Sequence, residues 1–174
     1  MLTCTEIEVA KATGLLRPLR FPQDWRGQPR AMLLSAPLDQ ALMEGQKAAD
    51  PQELKRWVSL HALMVSFVQG DFFTERQLKQ LAEPKHEVWE LKFREKPGIR
   101  VFGRFALPDV FIATHLIERK PLGAKGSVEF EIEKLNCEQI YRASGLTSVF
   151  TDSPHFRYEK YITSNAAKTL RVPS

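Results

Sequence analysis

Along residues 86–105, HEVWELKFREKPGIRVFGRF, apolar and polar positions alternate with a period of two, the mark of strands that turn one face to a core. Trp89, Leu91 and Phe93 fall on one side of the first arm, and Glu90, Lys92 and Arg94 on the other. Lys96-Pro97-Gly98-Ile99 follows, with Pro and Gly at the central positions of a type II turn. On the second arm Ile99, Val101 and Phe105 repeat the apolar side, opposite Arg100, Phe102 and Arg104. The pattern predicts a hairpin with a basic face. A second turn at Leu107-Pro108-Asp109 leads into VFIATHLI (110–117), whose β-branched and aromatic residues predict a well-buried strand. Three successive antiparallel strands are therefore expected between residues 87 and 118.

Upstream the period changes to that of helices. Thr3 and Glu6 stand in capping-box positions for a short helix that stops at Gly14. LLRPLRFPQDWRGQPR (15–30) carries Pro18, Pro22 and Pro29 and reads as extended and irregular; AMLLSA (31–36) reads as a buried strand and PLDQALMEGQKAA as a helix. Asp50-Pro51-Gln52-Glu53 supplies an N-cap, a first-position proline and an acid at the third position. Trp57, Leu60, Met64 and Phe67 then recur at helical spacing as far as a natural stop at Gly70. TERQLKQLAE, opened by Thr74 and Gln77 and closed by Pro84, predicts a third helical piece. In SVEFEIEKLNCEQIYRA (127–143), Val128, Phe130 and Ile132 alternate like a strand, while Val128, Ile132, Leu135 and Ile140 share a helix face. A helix over most of the segment and a fourth strand running into a shorter helix both fit. In the tail, HFRYEKYI reads as one more extended segment and TLRVPS as a frayed end.

These elements predict an α+β domain: a small, mainly antiparallel sheet of about four strands packed against two or three helices. Residues 31–143 form the domain, with extensions at 1–30 and 144–174. A chain of 174 residues is long enough to bury a core, and 43% hydrophobic with 26% charged residues argues against disorder. The net charge of +4 and pI near 9.1 lean toward an anionic partner where the cations cluster. Cys4 and Cys137 lack metal-ligand spacing and read as free thiols in a reducing compartment. No apolar run approaches the ~20 residues needed to span a bilayer. The acidic N-terminus is no secretory signal, so the expected compartment is the cytoplasm.

Trp89-Glu90-Leu91-Lys92, then Ile99-Arg100-Val101-Phe102, then His115-Leu116-Ile117-Glu118-Arg119-Lys120 resemble the signature of RelE/HigB-type toxins, and are most similar to the phage-derived Gp49-like branch. The likeness is strongest over 86–121. It implies a RelE-like fold and the toxin half of a toxin–antitoxin pair, with a cognate antitoxin, the ribosome and messenger RNA as partners. The implied chemistry is endoribonuclease cleavage without metal or cofactor: a ribose 2′-hydroxyl attacks the adjacent phosphate while basic side chains orient the backbone and stabilise the developing charge. Carried over by position, Lys92 matches a strand lysine, Arg100 the phosphate-binding arginine, His115 a histidine of the HigB-like branch, and Arg119 and Lys120 the basic pair after the last strand. Arg94, Arg104, Lys125 and Arg142 complete the set as candidate RNA-binding cations. Phe130 stands where RelE-type members carry a tyrosine, Tyr141 lies one or two helical turns further on, and Glu118 intrudes beside the basic pair.

Two other classes share these features: a binding module that keeps the fold without the chemistry, and a DNA gyrase inhibitor of the related ParE branch. The cations of the hairpin also fit an ordinary solvated sheet face, His115 a hydrogen-bonded structural histidine, and Trp89 a core aromatic. Arg17, Arg20, Arg26 and Arg30, with Phe21 and Trp25 between them, could track a nucleic-acid backbone or belong to an arm wrapped on the domain.

Overall fold

The computed structural model describes residues 4–21, 27–81, 87–124, 126–146, 160–163 and 165. Its longest helix starts as its sequence dictates. The Asp50 carboxylate accepts the Glu53 backbone N–H at 2.8 Å, Pro51 occupies the first turn, and the helix ends just before Gly70 at φ +81°, a backbone region in which glycine is unstrained. The chain order is α1 (Cys4–Ala12), β1 (Leu16–Pro18), β2 (Ala31–Ser35), α2 (Ala36–Gly45), α3 (Pro51–Val68), β3 (Leu78–Gln80), β4 (Trp89–Phe93), β5 (Ile99–Leu107), β6 (Val110–Glu118), a 3₁₀ turn (Lys120–Leu122) and α4 (Val128–Ala143).

The α+β class is borne out, with more strands than expected. Among the described residues six strands form one open sheet in the order β1-β2-β6-β5-β4-β3, antiparallel except for the parallel pair β2 and β6. The two additional strands lie at its edges. β1 comes from the proline-rich stretch read as irregular: Leu16, Arg17 and Pro18 pair with Ser35, Leu34 and Leu33. β3 replaces the expected third helix. Half of the capping box forms, the Thr74 N–H donating to Gln77 Oε1 at 3.2 Å, and the Leu78 N–H reaches the Thr74 carbonyl at 2.9 Å, but the chain then extends along β4. Pairing satisfies the open backbone edge of β4 and buries Leu78 completely, gains that outweigh a modest local helix propensity. Between β4 and β5 the Lys96–Pro97 peptide is cis, and Gly98 lacks the positive φ that a type II turn requires; that turn type is not the one formed. Residues 127–143 resolve in favour of a helix, α4.

Helices cover both faces of the sheet. On one, Leu38 and Leu42 of α2 and Leu60, Met64 and Phe67 of α3 pack on Trp89, Leu91, Phe93, Ile99, Val101, Phe105 and Phe111. On the other, Ile7 and Ala10 of α1 and Tyr141 of α4 meet Leu16, Leu33, Ala106 and Ile112, while Phe130 and Cys137 of α4 pack on Phe102. This second cover is why Phe102 and Ala106, which follow the polar phase of the alternation, are fully buried.

Part of the C-terminal stretch belongs to the first core. Most of the expected extended segment HFRYEKYI lies outside the described residues, as do TLRVPS and the Thr3 cap, but its end, Tyr161 and Ile162, is buried. The Tyr161 ring lies 4.9 Å from Trp89 and 5.4 Å from Phe105, its hydroxyl donates to Glu87 at 3.2 Å, and Thr163 bonds Asp109 in the β5–β6 turn. Tyr161→Ala is expected to lower unfolding free energy by about 3–5 kcal/mol, and Tyr161→Phe by roughly 1 kcal/mol, in urea titration. A cost below about 1 kcal/mol for the alanine variant would show that the segment is not part of the core.

Candidate nucleic-acid interface

Opposite the Phe102–Gly103 step of β5, β6 carries one residue more than its partner, and Ala106 is the extra residue of β5 at a second irregularity near the turn. Phe102 pairs with His115 and Gly103 with Ala113, leaving Thr114 as a bulge. A bulge reverses the side to which the following residues point. Phe111 and Ala113 face the α2/α3 core before it; after it Leu116 takes up that face, and His115 and Ile117 join Phe102 beneath α4. The bulge is held from three directions. Thr114 Oγ1 donates to the Phe102 carbonyl at 3.0 Å, and its own carbonyl accepts from Ser35 Oγ, the N-cap of α2. Gly103 lies so close that an added Cβ would stand 2.4 Å from the Ile112 carbonyl oxygen.

Register then fixes which charges meet. Lys79, Glu90, Phe102 and His115 stand abreast across β3, β4, β5 and β6, and Lys92, Arg100 and Ile117 form the next row. Lys92 and Arg100 are directly opposite, an arrangement that costs energy unless a counter-charge intervenes. Glu90 supplies it. Oε1 lies 3.3 Å from Lys92 Nζ and Oε2 3.4 Å from Arg100 Nε, with the glutamate side chain only 7% exposed. Lys92 also donates to the Glu75 carbonyl at 2.9 Å, and Arg100 to the carbonyls of Ile99 and Phe93 at 3.0 and 3.2 Å. Burial pulls both cations below their ordinary pKa, with Glu90 opposing it; Lys79 adds to the effect at Lys92, and Arg119 and Arg94 at Arg100. Lys79, Lys92, Arg94, Arg100 and Arg119 thus share one electrostatic neighbourhood around Glu90. Arg119 is fixed by its bond to the Gly123 carbonyl at 2.7 Å and lies 5.7 Å from the Phe130 ring centroid.

His115 is placed as a clasp between sheet and helix. Its ring lies flat on Phe102 at 5.0 Å, Nδ1 is 3.0 Å from Thr114 Oγ1, and Nε2 is 2.9 Å from Glu133 Oε2 on α4. Both ring nitrogens face protein partners. Desolvation lowers the His115 pKa, against the opposing pull of Glu133.

The remaining candidates scatter. Arg94 and Lys120 are exposed, and Lys120 lies on the 3₁₀ turn beyond β6. Arg104 shares the face with Arg100 but is buried, its guanidinium 4.9 Å from the Tyr141 ring. Arg142 is exposed in the last turn of α4, 3.9 Å from Glu138. Lys125 lies outside the described residues. Phe130 packs on Phe102, and Tyr141 is 1% exposed with its pKa pushed up by burial, so Tyr141 does not substitute for a tyrosine at the cluster. Glu118 does not weaken the basic pair in the way its sequence position suggests: past the bulge it bonds Arg56 of α3 at 2.8 Å. Of the N-terminal arginines, Arg17 and Arg20 share the buried Asp39, and Arg30 is buried against Phe67; Arg26 and Trp25 lie outside the described residues. Trp89 is a core residue, 1% exposed.

Sequence reasoning missed Glu90, Lys79 and Glu133 as members of the site. Glu90 was legible in phase with Lys92; Lys79 was hidden in an expected helix. Cys137 is buried with its thiol raised to about 12, which makes it an inert core residue. Among the described residues no group of three or more His, Cys, Asp and Glu side chains could hold a metal ion, and no helix is long and apolar enough to cross a membrane. No family model, curated protein or solved structure matches the chain.

The His115 clasp has a pH signature. Its pKa is lower in the folded protein than in the unfolded chain, so as pH falls through about 6.5 the unfolded chain binds the proton first and stability declines. The urea midpoint is expected to drop between about pH 7.5 and 5.5. The drop should be larger in Glu133→Gln, which loses the opposing carboxylate, and absent in His115→Gln. An equal drop in His115→Gln would assign it to other groups.

Proposed function

We propose that this chain is a RelE/HigB-type toxin, the toxin half of a toxin–antitoxin pair, whose basic sheet face binds messenger RNA in the ribosomal decoding site and promotes metal-independent cleavage. The observation that carries the reading is the convergence of Lys92 and Arg100, side by side in register, with Lys79, Arg94 and Arg119 around them on a rigid sheet. Cations fixed before the substrate arrives need little reorganisation to stabilise charge on a phosphorane, and low exposure strengthens their field. The order strand, helix, long helix, four antiparallel strands and helix over 31–143, one strand more than the sequence pattern predicts, is compatible with the same reading. The 2′-hydroxyl of the RNA is the nucleophile; Arg100 and Lys92 bind the attacked phosphate, and Arg119 the neighbouring backbone. Arg94 and Lys120 extend the contact at the exposed rim.

A second reading, an RNA-binding protein of this fold that does not cut, is favoured by the engagement of both His115 nitrogens and the burial of Tyr141. Those placements leave neither ring free for proton transfer. Cleavage of messenger RNA on programmed ribosomes separates the two. On the toxin reading, expression arrests growth with loss of transcripts, and Arg100→Ala slows single-turnover cleavage about 10²- to 10³-fold, while Lys55→Ala on the outer side of α3 changes nothing. Binding to RNA with transcripts intact would favour the non-cutting reading. Growth arrest with damaged DNA and intact transcripts would point to gyrase inhibition.

A further inference from the structure

A carboxylate is an unexpected centrepiece for a surface that binds phosphate. Glu90 stands between the two cations best placed to hold a phosphate, more than nine-tenths buried, and its two oxygens are not equivalent. Oε1 is paired with Lys92 Nζ at 3.3 Å, whereas Oε2, in an ion pair 3.4 Å from Arg100 Nε, has no hydrogen-bond partner among the described residues. A buried charged acceptor left without a donor is costly, and it is tolerated where a ligand can supply the donor. The same negative charge penalises a ligand that brings only an anion to Lys92 and Arg100, because like charges then meet at close range. A ligand that offers a phosphate together with a neighbouring hydroxyl satisfies both demands.

We propose that Glu90 makes this face selective for ribose-phosphate over deoxyribose-phosphate, its Oε2 accepting a hydrogen bond from the 2′-hydroxyl next to the phosphate that Lys92 and Arg100 hold. The 2′-hydroxyl is the group by which a protein tells RNA from DNA at a given position, and a site built around a hydroxyl donor rejects the analogue that lacks it. Glu90 acts here as a specificity residue. The inference rests on the reading of the face as an RNA-binding surface, and it adds the atom that discriminates.

The test uses the full chain and three labelled single strands of one sequence, RNA, 2′-deoxy and 2′-O-methyl, compared by fluorescence anisotropy at one salt concentration. The wild type is expected to bind RNA about 10- to 100-fold more tightly than either analogue, the range of one hydrogen bond to a charged group. Glu90→Gln is expected to bind the 2′-deoxy strand more tightly than the wild type does and to narrow the preference to within about threefold. Equal wild-type affinity for all three strands overturns the role of Glu90 and leaves the RNA-binding reading standing. A wild type that binds none of them overturns both. If Glu90→Gln fails to fold, the ligand series on the wild type still decides, since the 2′-O-methyl strand removes the donor without altering the protein.

Discussion

One extra residue in β6 decides what each side of the sheet carries. With uninterrupted alternation His115 would follow Phe111 and Ala113 into the core beneath α3, and Leu116 would face the basic hairpin. The Thr114 bulge exchanges them. It also turns Glu118 toward Arg56, away from the cations. The cost of an interrupted ladder is offset locally: Thr114 bonds back to the Phe102 carbonyl, Ser35 ties the bulge carbonyl to the start of α2, and Gly103 leaves room for the close approach. Core order on one face and site composition on the other therefore depend on the same few atoms.

The second constraint is that both faces are covered. In a half-exposed sheet the polar phase of the hairpin would be wet along its whole length. Here α4 lies over the Arg104 end, and the charges near the turn are left less covered. Within one strand, Arg100 and Arg104 thus have different fates, the first in the basic cluster and the second buried against Tyr141. Burial also changes what the cluster needs. Lys92 and Arg100 face each other across two strands at low exposure, and Glu90 is the counter-charge that lets both stay there. The site is consequently a set of cations organised around a carboxylate rather than a uniform positive patch.

The central hairpin, its apolar side and the capped helix at Asp50 were legible because each is a local matter: period-two alternation, an N-cap with proline, a glycine stop. The fate of TERQLKQLAE was not. The Thr74 N–H does bond Gln77 as a capping box requires, yet the unpaired edge of β4, set by residues further along the chain, draws the next residues into a strand. β1 was obscured in a similar way, since a proline-containing segment can serve as an edge strand when its partner is already in place. Arg100 and Arg119 were candidates because they match positions of the signature that the chain resembles; Lys79 and Glu133 arrive from elements whose docking the local pattern does not encode.

What the sequence by itself determined is the α+β class, the three consecutive antiparallel strands, the two helices before them, and the cations on one phase of the hairpin. These follow from side-chain periodicity and capping chemistry, which act over a few residues. Only the tertiary structure decided which of those cations converge, that His115 leaves the core face to clasp α4, and that Glu90 becomes a buried counter-charge shared by Lys92 and Arg100. Each of those outcomes depends on strand register, a one-residue bulge and the seat of α4, and all three are set by packing between segments far apart in the chain.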